Sequence, residues 1–196
     1  MSRKEEIAAI IAQFDLNTHP FYQAWVMGTL PKEKLQDYAG EYARFVGTIA
    51  SGWDTIGETK YVEEEREHEV LWADFRYELG VTPESRRPQT DVLVNAATNF
   101  FGADAPEAVG ALYAFEAQQP LTARSKFDGL NEHYPMSDKA KEYFRIHADD
   151  ILEAQLLEKH MEAMSDADFA RAKGACTVIC AAMWSALDGI YYAEAA

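Results

Sequence analysis

Apolar residues recur every three to four positions along nearly the whole chain, and this period constrains the fold more than any other feature. Leu35, Tyr38, Tyr42, Phe45, Val46 and Ile49 form one stripe of a helix running to about Ser51. Ile7, Ile10, Ile11 and Phe14 do the same over about residues 4–15. Such spacing puts side chains on one face of an α-helix, whereas a half-buried strand alternates. No segment alternates convincingly, and no internal repeat is visible. The punctuation agrees. Pro20 suits the first turn of a short aromatic helix that Gly28 ends, and Gly80 stops another that begins near residue 60. In that second helix Val70, Leu71, Phe75 and Leu79 read as inward. Thr82-Pro83-Glu84 reads as a turn, followed by a helix over about 89–101. Asp104-Ala-Pro106-Glu107 is a helix start, and the helix from there to Gly129 should kink or break at Pro120. Ser137-Asp138 opens a helix to about Met164, and Ser165 caps a last one to about Tyr192. The expected fold is all-α. It is one domain over residues 1–196, a bundle of about seven or eight helices with short connections.

Charge narrows the partners. Thirty-three acidic against eighteen basic residues give a net charge of −15. Phosphates are met by clustered Lys and Arg, so neither nucleic acid nor an anionic membrane is an expected partner. The two cysteines, Cys176 and Cys180, build no disulfide framework, and a cytoplasmic location is expected. Met1-Ser-Arg-Lys-Glu-Glu6 lacks the apolar core of a signal peptide, and the apolar run Ala175 to Trp184 is too short to span a bilayer.

One carboxylate stands in apolar company. Glu116 lies between Phe115 and Ala117 in a segment where Leu112, Phe115, Leu121 and Phe127 read as core. A carboxylate buried there is costly without a cation or hydrogen-bond donors. The candidates are His68 and His147. Glu65-Arg-Glu-His68 places a carboxylate and an imidazole three apart on one helix face, and His147-Ala-Asp-Asp150 does so on another. Donor pairs of this kind, drawn from several helices of a bundle, build non-haem iron or manganese centres. Mixed oxygen and imidazole ligation suits iron or manganese better than zinc. The metal set read from the chain is therefore Glu65, His68, Glu116, His147 and Asp150, with Glu64 as an alternative to Glu65. Plainer roles stay open: a solvated acidic face for Glu63-Glu64-Glu65, and a hydrogen-bonded core histidine for His147. His19 before Pro20 reads as a helix cap or a buried hydrogen-bonding residue rather than a haem ligand. Tyr22, Tyr38, Tyr42 and Tyr113 read as core aromatics whose hydroxyls need partners. Cys176 and Cys180 read as small hydrophobes.

Several blocks resemble a known family. They are His19-Pro-Phe-Tyr22-Gln-Ala-Trp25 with Gly28-Thr-Leu30, then His68 with Leu71-Trp72, and Leu79-Gly80. The most specific is Ala111-Leu-Tyr-Ala-Phe-Glu116-Ala-Gln118 with Pro120 and Lys126-Phe-Asp-Gly-Leu130; Tyr143-Phe144 with His147 completes the set. Over nearly its whole length the chain resembles the haem-oxygenase-like superfamily of TenA and PqqC, and within it the chlamydial death-domain-associated protein and its bacterial relatives. That resemblance implies a haem-oxygenase-like helical bundle and a non-haem di-iron oxygenase without haem. Dioxygen would be a co-substrate and a homodimer the assembly. It also implies p-aminobenzoate made from the protein's own side chains. Tyr22 matches the sacrificial tyrosine and Lys126 the amine-supplying lysine. His68, Glu116 and His147 match metal ligands.

Departures accompany the match. Tyr61, Ile151 and Ala154 stand where the family has a carboxylate, an aspartate and a histidine, and Phe115 stands where it has a tyrosine. Glu64 or Glu65 and Asp150 are the substitutes on nearby faces. Three readings follow. One is a metal-dependent oxidase acting on a small molecule or on Tyr22. The others are a metal-free pocket for a small aromatic compound, and an interaction protein with an eroded site.

Overall fold

Ten α-helices and one 3-10 turn follow from that pattern in the computed structural model, which describes residues 1–81 and 86–193. They are α1 (Arg3–Gln13), the 3-10 turn Leu16–Thr18, α2 (Pro20–Val26), α3 (Lys32–Thr55), α4 (Thr59–Leu79) and α5 (Pro88–Phe101). Then come α6 (Ala105–Glu116), α7 (Gln119–His133), α8 (Asp138–His147), α9 (Leu152–Ala163) and α10 (Asp166–Tyr191). No strand occurs among the described residues, and the expected turn at Thr82-Pro83-Glu84 lies outside them. Two of the rods are interrupted. Counted as single rods, α6–α7 and α8–α9 bring the bundle to eight.

The interruptions decide where side chains point. The break expected at Pro120 falls slightly earlier, at Ala117 and Gln118, so Pro120 sits in the first turn of α7. Its missing N–H costs little there. The helix expected from Ser137 to Met164 is broken at Ala148–Ile151. Asp150 Oδ1 then accepts the N–H of Leu152 at 2.9 Å and starts α9 afresh. Two inward expectations are overturned. Leu121 is 69% exposed, because the new phase of α7 turns Gln119, Thr122, Ala123, Lys126 and Leu130 inward instead. Val70 is exposed, because α4 buries Val62, Glu65, Trp72, Phe75 and Leu79.

α10 as a whole has the length and composition of a membrane span, with an 18-residue window of mean hydropathy 1.3, although the Ala175–Trp184 run within it is too short by itself. Its apolar face lies in the core, where Cys176, Ile179, Cys180, Met183 and Leu187 are buried. α6 crosses it at Gly110. A β-carbon there would sit 2.0 Å from the Ala172 carbonyl oxygen, so only glycine permits this approach. α2 is tied to α10 by His19. Its Nδ1 accepts the N–H of Phe21 at 3.0 Å, which caps α2 and leaves the hydrogen on Nε2. Nε2 meets Asp188 at 3.1 Å.

Candidate functional site

Four helices bring carboxylates and imidazoles to one buried place. Glu65 and His68 come from α4, Glu116 from the last turn of α6, His147 from the last turn of α8, and Glu153 from the first turn of α9. Glu65, Glu116 and Glu153 each bring an oxygen within 4.8 Å of the other two. The rings of His68 and His147 are 4.3 Å apart. His68 Nδ1 stands 3.4 Å from Glu65 Oε1, too far for a strong hydrogen bond.

This cluster lacks donors. Neither oxygen of Glu116 receives a hydrogen bond among the described residues. Burial first, and the charges of Glu153 and Glu65 next, push the Glu116 carboxyl well above the usual carboxylate range. Burial and Glu65 push Glu153 to about 7. Burial lowers the His68 pKa, but the hydrogen-bonding and charge influence of Glu65 outweighs it and leaves the value raised. Burial drives His147 down to about 3, so its ring is neutral. His147 Nδ1 lies 2.6 Å from the Tyr143 carbonyl oxygen. A carbonyl only accepts, so Nδ1 carries the hydrogen and Nε2 keeps a free lone pair. Metal-bound histidines are oriented in this way.

Once Glu116 and Glu153 give up their protons, three carboxylates and two imidazoles fit a hard or intermediate divalent cation such as iron or manganese. The set is one short of the six donors of a typical dinuclear centre, which has two Glu-x-x-His pairs. Glu65-Arg-Glu-His68 is one such pair; the second place reads Phe144-Arg-Ile-His147. Metal binding must displace the protons that Glu116 and Glu153 hold without it. Glu153, held at about 7, is mostly protonated at pH 6 and Glu116 is shifted upward with it, so affinity for ferrous iron should tighten from pH 6 to pH 8. Anaerobic calorimetry in buffers of different ionisation enthalpy should show release of about one to two protons per site at pH 6. Binding without proton release would place the metal elsewhere.

The structure brings together Glu65, His68, Glu116 and His147 of the residues read from the sequence. Asp150 is exposed, and its carboxylate is taken by the start of α9. Glu153 was missed. It lies on the stripe Glu153, Leu157, Met161 that α9 buries, the same signal that singled out Glu116. An unbroken helix would hide it: six residues beyond His147 is about 120° off the shared face. The restart at Leu152 resets that phase. Three other positions where the family resemblance expects ligands hold none. Tyr61 stacks on Trp53 with ring centres 4.6 Å apart, Ile151 is half exposed, and Ala154 packs on the core.

Aromatic rings connect this cluster to a second one. Tyr143 is 4.3 Å from His147, Trp72 is 4.8 Å from Tyr143, and Tyr38 is 5.7 Å from Trp72, centre to centre. Beyond them lies Tyr22, whose hydroxyl is 3.0 Å from that of Tyr38. Burial raises the Tyr22 phenol above its ordinary value, so it stays protonated. Lys126 Nζ lies 5.0 Å over the Tyr22 ring, 5.5 Å over Phe144 and 5.7 Å over Tyr38. It donates to the Tyr38 hydroxyl at 3.3 Å. Lys126 is 1% exposed, and no carboxylate pairs with it among the described residues. Burial lowers its amine to about 7. The two cysteines are poor nucleophile candidates: both are buried on α10, and the Cys176 thiol is pushed far up by its neighbour Cys180 and by burial.

Comparison with known proteins adds four findings. Residues 22–180 match the family described as iron-containing redox enzymes. The chain is 30% identical to a 4-aminobenzoate synthase of Nitrosomonas europaea, over 96% of this chain and 90% of that one. It is 28% identical to a 4-aminobenzoate synthase of Chlamydia muridarum, over 96% and 89%. A TenA homologue of Pseudomonas syringae pv. tomato shares the fold with a TM-score of 0.80 at 14% identity, over 96% of this chain and 92% of that one.

Proposed function

The chain belongs to the family of iron-containing redox enzymes, and from that premise we propose that it is a non-haem iron oxygenase forming 4-aminobenzoate from its own side chains. Tyr22 supplies the ring and Lys126 the amine. Glu65, His68, Glu116, His147 and Glu153 hold the metal. One observation carries this reading: a buried amine, without a counter-ion among the described residues, stands 5.0 Å over a buried tyrosine ring. A lysine in such a place costs stability, and reaction chemistry explains why one is there.

A bound iron would supply the oxidising power of dioxygen. The chain's own residues do the rest. His147 is kept neutral and aimed by the Tyr143 carbonyl. Burial keeps a large fraction of the Lys126 amine uncharged near pH 7, with a lone pair to offer. That fraction grows with pH through about 7, so formation by protein loaded with metal beforehand should rise from pH 6 to pH 8. The packed rings of Phe21, Trp25 and Tyr38 hold Tyr22 in one orientation.

The test is isotopic. Protein made with ring-labelled tyrosine is given ferrous iron, a reductant and air, and the product is read by mass spectrometry. Labelled 4-aminobenzoate is expected, at no more than one per chain. Tyr22→Phe, Lys126→Arg and Glu116→Gln should each remove it. Unlabelled product, or label that survives Tyr22→Phe, would sink the reading.

A further inference from the structure

Tyr38 stands between the two groups that react. Its hydroxyl accepts from Lys126 Nζ at 3.3 Å and lies 3.0 Å from the Tyr22 hydroxyl. Among the described residues no other hydrogen-bond partner of Lys126 Nζ is present. Tyr22, Tyr38 and Lys126 are all at most 2% exposed, so bulk water does not reach them. We propose that Tyr38 is a third catalytic residue, carrying a proton between the Lys126 amine and the Tyr22 phenol while holding the amine over the ring. This rests on Tyr22 and Lys126 being the reacting pair.

The chemistry needs such a group. Putting nitrogen where the phenolic oxygen was forms a ring C–N bond and breaks the ring C–O bond. The nitrogen must lose a proton, and the oxygen must gain one to leave as water. The step is redox-neutral: the Lys126 amine and the Tyr22 phenol give water and an arylamine still bonded to Lys126 Cε, and dioxygen with water then oxidises that N–CH2 group to an aldehyde, the free arylamine and hydrogen peroxide. A hydroxyl that accepts on the nitrogen side and donates on the oxygen side performs both transfers and is itself regenerated. Tyr38 has that geometry. Tyr42 stacks on it at 5.0 Å, and among the described residues no hydrogen bond joins its hydroxyl to Lys126 or Tyr22. The groups facing Lys126 are Tyr22 from α2, Tyr38 from α3 and Phe144 from α8, and the His147 imidazole also feels its charge.

Tyr38→Phe removes one oxygen and keeps the ring that packs on Tyr42 and Trp72. Two measurements are made on protein of unchanged melting temperature. The first is the single-turnover rate of 4-aminobenzoate formation from pH 6 to pH 9. The variant should be about a hundredfold slower, with a changed pH profile. The second is the titration of Lys126 by NMR in protein carrying labelled lysine. The charged amine loses its acceptor, so its midpoint should fall by about half a unit to one unit. A rate within twofold of the parent at every pH overturns the proposal. If the parent protein makes no 4-aminobenzoate, the Tyr22–Lys126 reading has failed. The bridge is then decided by the titration alone, which overturns it if the midpoint does not move. Should Tyr38→Phe not fold, difluorotyrosine at position 38 keeps the hydroxyl and makes it more acidic. The pH profile must then shift, and an unshifted profile overturns the proposal.

Discussion

Lys126→Met is expected to raise the stability of the protein while abolishing 4-aminobenzoate formation. Methionine follows the lysine stem and places no charge among Tyr22, Tyr38 and Phe144. The sign follows from the proton balance. Lys126 titrates near 7 in the native state, against 10.5 in a free chain. Below about pH 7 both states hold the proton, and the native state carries the full cost of a buried ammonium. Between about 7 and 10.5 the unfolded chain holds more proton, so the parent gains stability as pH rises. The advantage of Lys126→Met should therefore be greatest near pH 6, at about 1–4 kcal/mol, and shrink towards pH 10. Thermal or denaturant melts at several pH values measure it. A variant less stable than the parent at pH 6 would mean that the ammonium is compensated in some other way.

Gly110→Val should destabilise the fold by about 3 kcal/mol and weaken metal binding with it. The added β-carbon would fall 2.0 Å from the Ala172 carbonyl oxygen, which is main chain and cannot rotate aside. α6 and α10 must separate, and Glu116 lies at the far end of α6. A fall in melting temperature of roughly 6–12 °C corresponds to that energy in a chain of this size. Gly174→Ala, on α10, is the control. Its β-carbon would meet nothing within 4 Å, and alanine is the better helix former, so stability should hold or rise by up to about 1 kcal/mol. Equal losses at the two positions would show that the close crossing is not the cause.

The helices were legible because their apolar period is strong and their ends carry ordinary signals. Pro20, Gly80 and Ser165 mark real termini, and His19 caps α2 as read. The break between α8 and α9 was not legible. Ala148-Asp-Asp150-Ile151 contains neither glycine nor proline, and what restarts the helix is one aspartate side chain. That one event explains both differences at the site. It draws Asp150 into a local hydrogen bond, and it rotates Glu153 inward. Glu116 was legible because a carboxylate in an apolar stretch is costly wherever it occurs. Glu65 was harder, since in Glu63-Glu64-Glu65 only the tertiary packing of α4 shows which acid turns inward. Lys126 was read by resemblance alone. Its burial depends on the phase in which α7 resumes after Gln118, and the polar inner face of α7 gives no hydrophobic signal.

The proposed metal donors are scattered from residue 65 to residue 153 and are carried by four helices. An unfolded chain cannot present them together, so the binding energy of a metal reaches only the folded form. With an ion bound, the cluster would act as a buckle across the bundle. It would be fastened when supply of the ion is good and strained by its own crowded acids when supply is poor. The number of intact copies a cell keeps would then follow the ion it has at hand, before any reaction is considered.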